Sequence, residues 1–188
     1  MSLDANTDDD LREALALGDE AAWYSFHQRY TERLIRYARA VIKNDELARD
    51  IVQSVMVALV RNRKQLSEVR DFEAYLFSAV RRDLWRALKQ ERKEAAILVP
   101  LDRASVTETA AYETSASHNA MTLVDDRDFL TLALTRLSSE QKMIIELRYF
   151  GELTFERIAT ILELPLGTVV SRFRAGLQQM RAIVEDQA

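Results

Sequence analysis

No cysteine occurs among the 188 residues. That excludes disulfides, thiol catalysis and cysteine-based zinc sites, and it fits a reducing cytoplasm. Glycine (4) and proline (2) are nearly as scarce. With so few breakers among so many helix formers, the expectation is an all-α protein. The two histidines, His27 and His118, lie far apart, and neither has a carboxylate or cysteine cluster beside it. No metal site is therefore predicted. No apolar run approaches the roughly 18 residues of a membrane span, and the N-terminus is acidic, so neither a span nor a signal peptide is expected. A phosphate loop and a nucleophile with its base are likewise missing, which argues against an enzyme and against a cofactor.

What remains is a chain of 48 % hydrophobic content, enough for one ordinary domain or two small ones. Its net charge of -4 argues against a purely electrostatic nucleic-acid binder. The location of the charge then matters more than its sum.

The most informative stretch is Leu153 to Arg174, LTFERIATILELPLGTVVSRFR. Thr154 suits an N-cap, and Glu156 sits where the helix dipole favours an anion. Phe155, Ile158, Ala159 and Leu162 fall on one helical face. Pro165 is expected to stop this first helix and open the next. Val169, Phe173, Leu177 and Met180 form the inward stripe of the second helix. Thr168, Ser171, Arg172 and Arg174 are left on other faces. Two short helices around a tight corner, with Thr, Ser and Arg facing out, make a candidate helix-turn-helix. Short hydroxyls bind phosphate, and Arg reaches phosphate or a guanine edge. The competing reading is an ordinary helical hairpin with a solvated polar face.

Upstream, helices are predicted over about 9–17, from Asp19 to Val41, from Asn44 to Asn62, and from Asp71 to Lys93. In the second, Arg29, Arg33, Arg36 and Arg39 are expected to be solvated opposite an aromatic core stripe. In the third, Leu47, Ala48, Ile51, Val55, Ala58 and Leu59 face inward, while Arg49, Asp50 and Gln53 line another face. Asn62 to Arg70 is polar and reads as a loop. In the fourth, Arg82, Arg86, Lys89 and Lys93 form a cationic stripe, with Arg81, Trp85 and Arg92 in a parallel line. Such a stripe suits single-stranded or opening DNA, because cations track phosphates and an indole stacks on an unpaired base. It equally fits a solvated face with Trp85 filling the core.

Residues 94–121 turn rich in Ala, Ser and Thr and read as a linker. It separates a first helical domain (1–93) from a second (122–188). The second opens with a helix over about 122–137, followed by a Ser138–Gln141 capping box and a further helix to Gly151.

Three segments carry a family resemblance. LPLGTVVSRFRAGLQQMR is similar to the carboxy-terminal region of bacterial sigma factors, with Val170 where Lys is usual. LARDIVQSVMVALV resembles their polymerase-docking helix. FEAYLFSAVRRDLWRALKQERK resembles the region that melts and reads the −10 promoter element. The chain as a whole, from about Asp9 to Val184, resembles the small two-domain, extracytoplasmic-function type. The resemblance implies that Arg49, Asp50 and Gln53 meet the β′ clamp helices of core RNA polymerase, and that the second domain also meets polymerase, at the β flap. It implies −10 contacts from Asn62, Lys64, Arg81, Arg82, Trp85, Arg86 and Lys89, with Asn62 and Lys64 in a base-capturing loop. It implies −35 contacts from Thr168, Val170, Ser171, Arg172 and Arg174, an anti-sigma partner, and a cytoplasmic location. Two other classes stay open: a stand-alone helix-turn-helix regulator binding operator DNA as a dimer, and a helical interaction module with no DNA role. The linker and the two apolar cores also raise the expectation of a compact free chain that hides the cationic stripe.

Overall fold

The computed structural model describes residues 7–97, 134 and 136–185. Among them there are helices and turns and no strand. Helix α1 spans Asp8–Leu17, α2 Glu20–Val41, α3 Asp45–Arg61 and α4 Phe72–Ile97. After the linker come α5 (Ser139–Tyr149), α6 (Phe155–Leu162) and α7 (Leu166–Glu185).

The starts are set by side chains that satisfy free amides of the first turn. Thr7 and Asp10 form a capping box on α1, and Ser138 and Gln141 form another on α5. Asp19, Asn44 and Thr154 cap α2, α3 and α6. Gly18 ends α1 in the left-handed region, φ 84°.

Four features differ from expectation. Asn62 to Arg70 is not an open loop, because Arg63–Glu68 is a 3-10 helix with Leu66 buried beneath it. Buried Arg12 of α1 ties it down, donating to the carbonyls of Leu66 (3.1 Å) and Ser67 (2.8 Å). Ala58 is exposed, and Val52 takes its place in the α3 core. Pro165 does not stop α6. Glu163 does so first, in the left-handed region at φ 54°, with its amide turned back to the carbonyls of Ala159 and Thr160. Helix α4 runs past Lys93 to Ile97, so the linker starts later than its composition indicated. The rest of the linker, His118 with it, lies outside the described residues. So does the helix expected over 122–137, apart from Leu134, Arg136 and Leu137; the last two form a turn and a bend.

One hydrophobic core runs through both halves. It links Phe26, Tyr30, Leu34, Tyr37 and Phe77 of the first with Ile144, Leu147, Leu153, Ile158 and Val169 of the second. The chain is therefore compact, with α6 packed against α4 and α5 against α2. The expected covering of the cationic stripe does not follow. Arg82, Arg86, Lys89, Arg92 and Lys93 stay exposed, and only Arg81 is drawn into the packing.

Candidate nucleic-acid and polymerase interfaces

The helix-turn-helix is built by α6, the Glu163–Pro165 corner and α7. Thr154 Oγ1 accepts from the Arg157 amide, opening α6 beside Glu156. The free backbone amide at Glu156, together with the Thr154 hydroxyl, holds the Glu156 carboxyl below its ordinary range. The Pro165 carbonyl accepts from the amides of Thr168 (2.9 Å) and Val169 (3.1 Å), so Pro165 stands just before the first turn of α7. Val169 is fully buried and Phe173 packs edge-on to Phe155, ring centroids 5.0 Å apart. This fixes which face of α7 looks outward.

On that outward side Ser171 and Arg174 are exposed and Thr168 and Val170 half-buried. The Ser171 hydroxyl donates to the Thr168 carbonyl at 3.0 Å, so it must turn to meet a phosphate. Arg172 behaves differently. It leans back on α5, with Nη1 3.0 Å from Glu140 Oε2. The angle there is too poor for a hydrogen bond, so the contact is an ion pair alone. Arg172 therefore braces α7 on its support helix in this state.

On α4, Arg82, Arg86 and Lys89 are exposed along one side and Trp85 is half-buried among them. Arg86 pairs with Asp83 at 3.0 Å, a contact open to solvent and weak on that account. Arg81 points the other way. Its guanidinium donates to the Ile161 carbonyl at 3.2 Å and touches the Met143 sulfur at 3.9 Å. Asn62 closes α3, its side-chain amide donating to the Ala58 carbonyl at 3.0 Å, and Lys64 is exposed in the 3-10 helix.

Asp50 and Gln53 are exposed and share a shallow groove with Ser54, Val57, Ala58, Arg61 and Asn62. Arg49 sits beside it, paired with Asp45 at 3.3 Å. The docking candidates and Asn62 thus lie on one continuous face. Sequence reasoning missed the apolar part of that face, Val57 at 42 % and Val60 at 45 % exposure. Both fall between the buried positions of α3, and that offset was the available signal. A second apolar recess, lined by Arg148, Tyr149, Glu152, Phe155 and Phe173, lies in the other half. Among the described residues no helix is long and apolar enough to cross a membrane.

Two family models match the chain. "Sigma-70 region 2" covers residues 26–94 and "Sigma-70, region 4" covers 133–182. The extracytoplasmic-function (ECF) RNA polymerase sigma factor SigK of Mycobacterium tuberculosis is 27 % identical over 177 residues, 92 % of this chain and 91 % of that protein. The RNA polymerase sigma-E factor of Streptomyces avermitilis is 24 % identical over 176 residues, 92 % and 90 % of the two chains. Among solved structures, the sigma factor RpoE of Bartonella quintana, in complex with the anti-sigma factor NepR, superposes with a TM-score of 0.64 at 19 % identity. That match covers 87 % of this chain and 96 % of the other. CnrH, in complex with the cytosolic domain of CnrY, gives the same TM-score at 20 % identity, covering 96 % and 99 %. With a shallow α3 groove and a cationic helix in one half and a helix-turn-helix in the other, the chain belongs to the sigma-70 family, as an extracytoplasmic-function sigma factor that binds core RNA polymerase and directs promoter-specific initiation.

Proposed function

We propose that the work divides between residues 1–93 and 122–188 as follows. The α3 groove, with Asp50, Gln53 and neighbouring Arg49, docks on the β′ clamp helices, and the exposed Val57 adds apolar area to that contact. Arg82, Arg86 and Lys89 follow the phosphates of the melting −10 element, while Trp85 offers a stacking surface. Asn62 and Lys64 stand at the mouth of the 3-10 helix, where an extruded base would arrive. Arg81 joins them only if it leaves the Ile161 carbonyl. In the second half Thr168, Val170, Ser171 and Arg174 face the −35 element in the major groove. Arg172 joins them by exchanging Glu140 for a phosphate. The second half also meets the β flap. No bond is made or broken by this chain, and its place is the cytoplasm, with polymerase. The solved relatives RpoE and CnrH are each held by another protein, NepR and CnrY, and we infer an anti-sigma partner here as well.

The observation that supports this most is the presence, on one chain, of an exposed cationic helix and an exposed recognition helix beside a separate docking groove. The test is run-off transcription with a bacterial core polymerase on promoter fragments. New start sites are expected, lost in Asp50→Arg. Arg174→Glu should abolish upstream-element recognition and spare binding to core. A protein that footprints a promoter equally well without core polymerase would instead be a stand-alone regulator.

A further inference from the structure

The 3-10 helix Arg63–Glu68 is six residues long. Such a turn holds poorly by itself, because its hydrogen bonds are few and bent. Near its ends the Gln65 amide donates to the Asn62 carbonyl at 2.9 Å, and the Val69 amide to the Leu66 carbonyl at 3.1 Å. The Ser67 hydroxyl adds a bond to the Lys64 carbonyl at 2.9 Å. The rest of its polar support comes from α1, whose Arg12 lies 54 positions away from Leu66 along the chain.

Arg12 is only 9 % exposed. A buried guanidinium is tolerated where its charge and its N–H groups all find partners. On one edge it meets two exposed carboxylates of its own helix, Asp9 at 3.5 Å from Nε and Glu13 at 3.4 Å from Nη2. On the other edge Nη1 donates to the carbonyls of Leu66 (3.1 Å) and Ser67 (2.8 Å). One nitrogen thus grips two consecutive carbonyls at the C-terminal end of the 3-10 helix, where free carbonyls collect and a cation is favoured. At the opposite end the Arg63 side chain lies over Gly18, so close that a Cβ there would come within 3.0 Å of Arg63 Nε. Helix α1 therefore supports both ends of the turn, while Asn62 before it and Lys64 on it remain exposed.

We propose that Arg12 is a positioning residue for −10 recognition: it fixes the shape of the 3-10 helix before DNA arrives, so that Asn62 and Lys64 meet an extruded base without first being ordered. This rests on the reading of those two residues as the place where such a base arrives. A base leaves its stack at a cost that the receiving loop must offset. A loop that also had to be ordered would lose part of its contact energy to its own entropy, and less would remain to tell one base from another. Helix α1, which carries none of the DNA-facing or docking residues, then sets how sharply the −10 element is read.

The test uses the full chain with core polymerase and a library of DNA fragments randomised across both promoter elements, with the transcripts sequenced to give the base preference at each position. Arg12→Met keeps an apolar side chain in the same space but loses the charge and the donors. It should lower discrimination at an extruded −10 base about fivefold, while preferences at −35 and affinity for core polymerase stay as they were. Hydrogen exchange of the free chain gives a second reading. The Gln65 and Val69 amides should exchange about tenfold faster in Arg12→Met, and the amides of α3 and α4 should not. An equal loss of preference at both elements, a fall in core affinity in step with −10 discrimination, or unchanged exchange would show that Arg12 only holds the first half together, and would overturn the proposal. Should circular dichroism show that Arg12→Met loses helix, Arg12→Lys decides. It keeps the buried charge but replaces the planar fork with one ammonium, and it should lose part of the −10 discrimination. Full discrimination in Arg12→Lys overturns the proposal. Failure of the sigma-factor reading looks different: neither the unmodified chain nor any variant yields transcripts with core polymerase, while amide exchange still responds to Arg12.

Discussion

The seam between the two halves and the interior of the second half both bury a glutamate, and they treat it in opposite ways. Glu73, at the seam, keeps 4 % side-chain exposure and meets two guanidinium groups, Arg33 and Arg157. Glu146, inside α5, keeps 1 % and has the Lys142 ammonium at 3.8 Å, with its Oε1 left without a hydrogen bond. Burial pushes the Glu146 carboxyl up to about 8, and the Lys142 charge offsets this only in part. Near neutral pH it is therefore mostly uncharged. Depth of burial is similar, so the supply of partners decides whether a buried carboxylate remains an ion. The seam draws its partners from both halves, which couples its charges to the packing of one half on the other. Glu146 has no such coupling.

The largest expected effect breaks the comparison on the seam side. Glu73→Leu removes the shared carboxylate and leaves Arg33 and Arg157 facing each other, with Arg33 only 19 % exposed. Losing one member of a buried ion pair costs about 3 kcal/mol. Glu146→Leu, which removes a group already neutral, should cost far less or stabilise. Urea unfolding of the two variants at pH 7 measures both, and equal losses would erase the distinction.

Next comes pH, and the signs differ. The folded value for Glu146 lies above its ordinary 4.5, so the folded chain holds a proton that the unfolded chain has released. Stability should fall as pH rises from about 4.5 to about 8 and level off beyond. Glu146→Gln should flatten that decline and gain on the order of 2 kcal/mol at pH 8.5. Burial would raise the Asp8 carboxyl, but the Tyr30 hydroxyl and the charges of Arg157 and Arg29 outweigh it and hold it low instead. Its contribution is present above the ordinary 3.8 and is lost as pH falls through the lower folded value. Asp8→Asn should therefore lower stability at pH values above about 3.8 and flatten the acid limb of the stability curve.

The helices, their caps and most of the core were legible because one buried stripe at helical spacing is a strong signal. Phe26, Tyr30, Leu34, Leu76, Val80 and Leu84 all lie where that spacing put them. The seam was not legible. Its α4 face is Glu73, Phe77 and Arg81, an i, i+4, i+8 row that is charged at both ends. On α2 it is Arg33 and Arg36. Such rows look like surface until a partner supplies the opposite charge, and that partner lies far along the chain. For the same reason Arg33 was expected in water, and Arg81 beside Arg82 on DNA. Helix α7 was placed well, but which of its arginines faces outward depends on Glu140, which spacing within α7 cannot reveal.

A steric contrast gives a smaller effect. A Cβ at Gly151 would lie 2.6 Å from the Leu147 carbonyl oxygen and 2.9 Å from the Phe77 ring. Neither backbone nor buried ring yields easily, so Gly151→Ala should cost about 1.5 kcal/mol. It should also loosen the seam, visible as a longer distance between spin labels at Gln28→Cys on α2 and Gln178→Cys on α7, both exposed. At Gly176, inside the second half, the nearest atom is the tip of Ile145, 2.9 Å away. A side-chain tip can rotate aside, so Gly176→Ala should be tolerated. A seam unmoved by Gly151→Ala would mean that the halves are not held at van der Waals distance there.

The smallest effect compares two glutamates in the left-handed region, Glu152 and Glu163, each with φ 54°. A Cβ in that conformation costs roughly 1 kcal/mol, which glycine avoids. Glu163 ends α6 at an exposed corner, and no ion pair is formed by its carboxylate among the described residues. Glu163→Gly should therefore raise stability by about 0.5–1 kcal/mol, less the extra freedom glycine gives the unfolded chain. Glu152 has the same backbone but spends its carboxylate on Arg36 and, at 3.6 Å, Arg33. Relief of strain in Glu152→Gly is then offset by the lost seam contacts, and no gain is expected. Thermal unfolding of the two variants separates the cases. A gain at Glu152 equal to that at Glu163 would mean that the outer ion pairs of the seam contribute nothing, leaving Arg157 and Glu73 to hold the halves together.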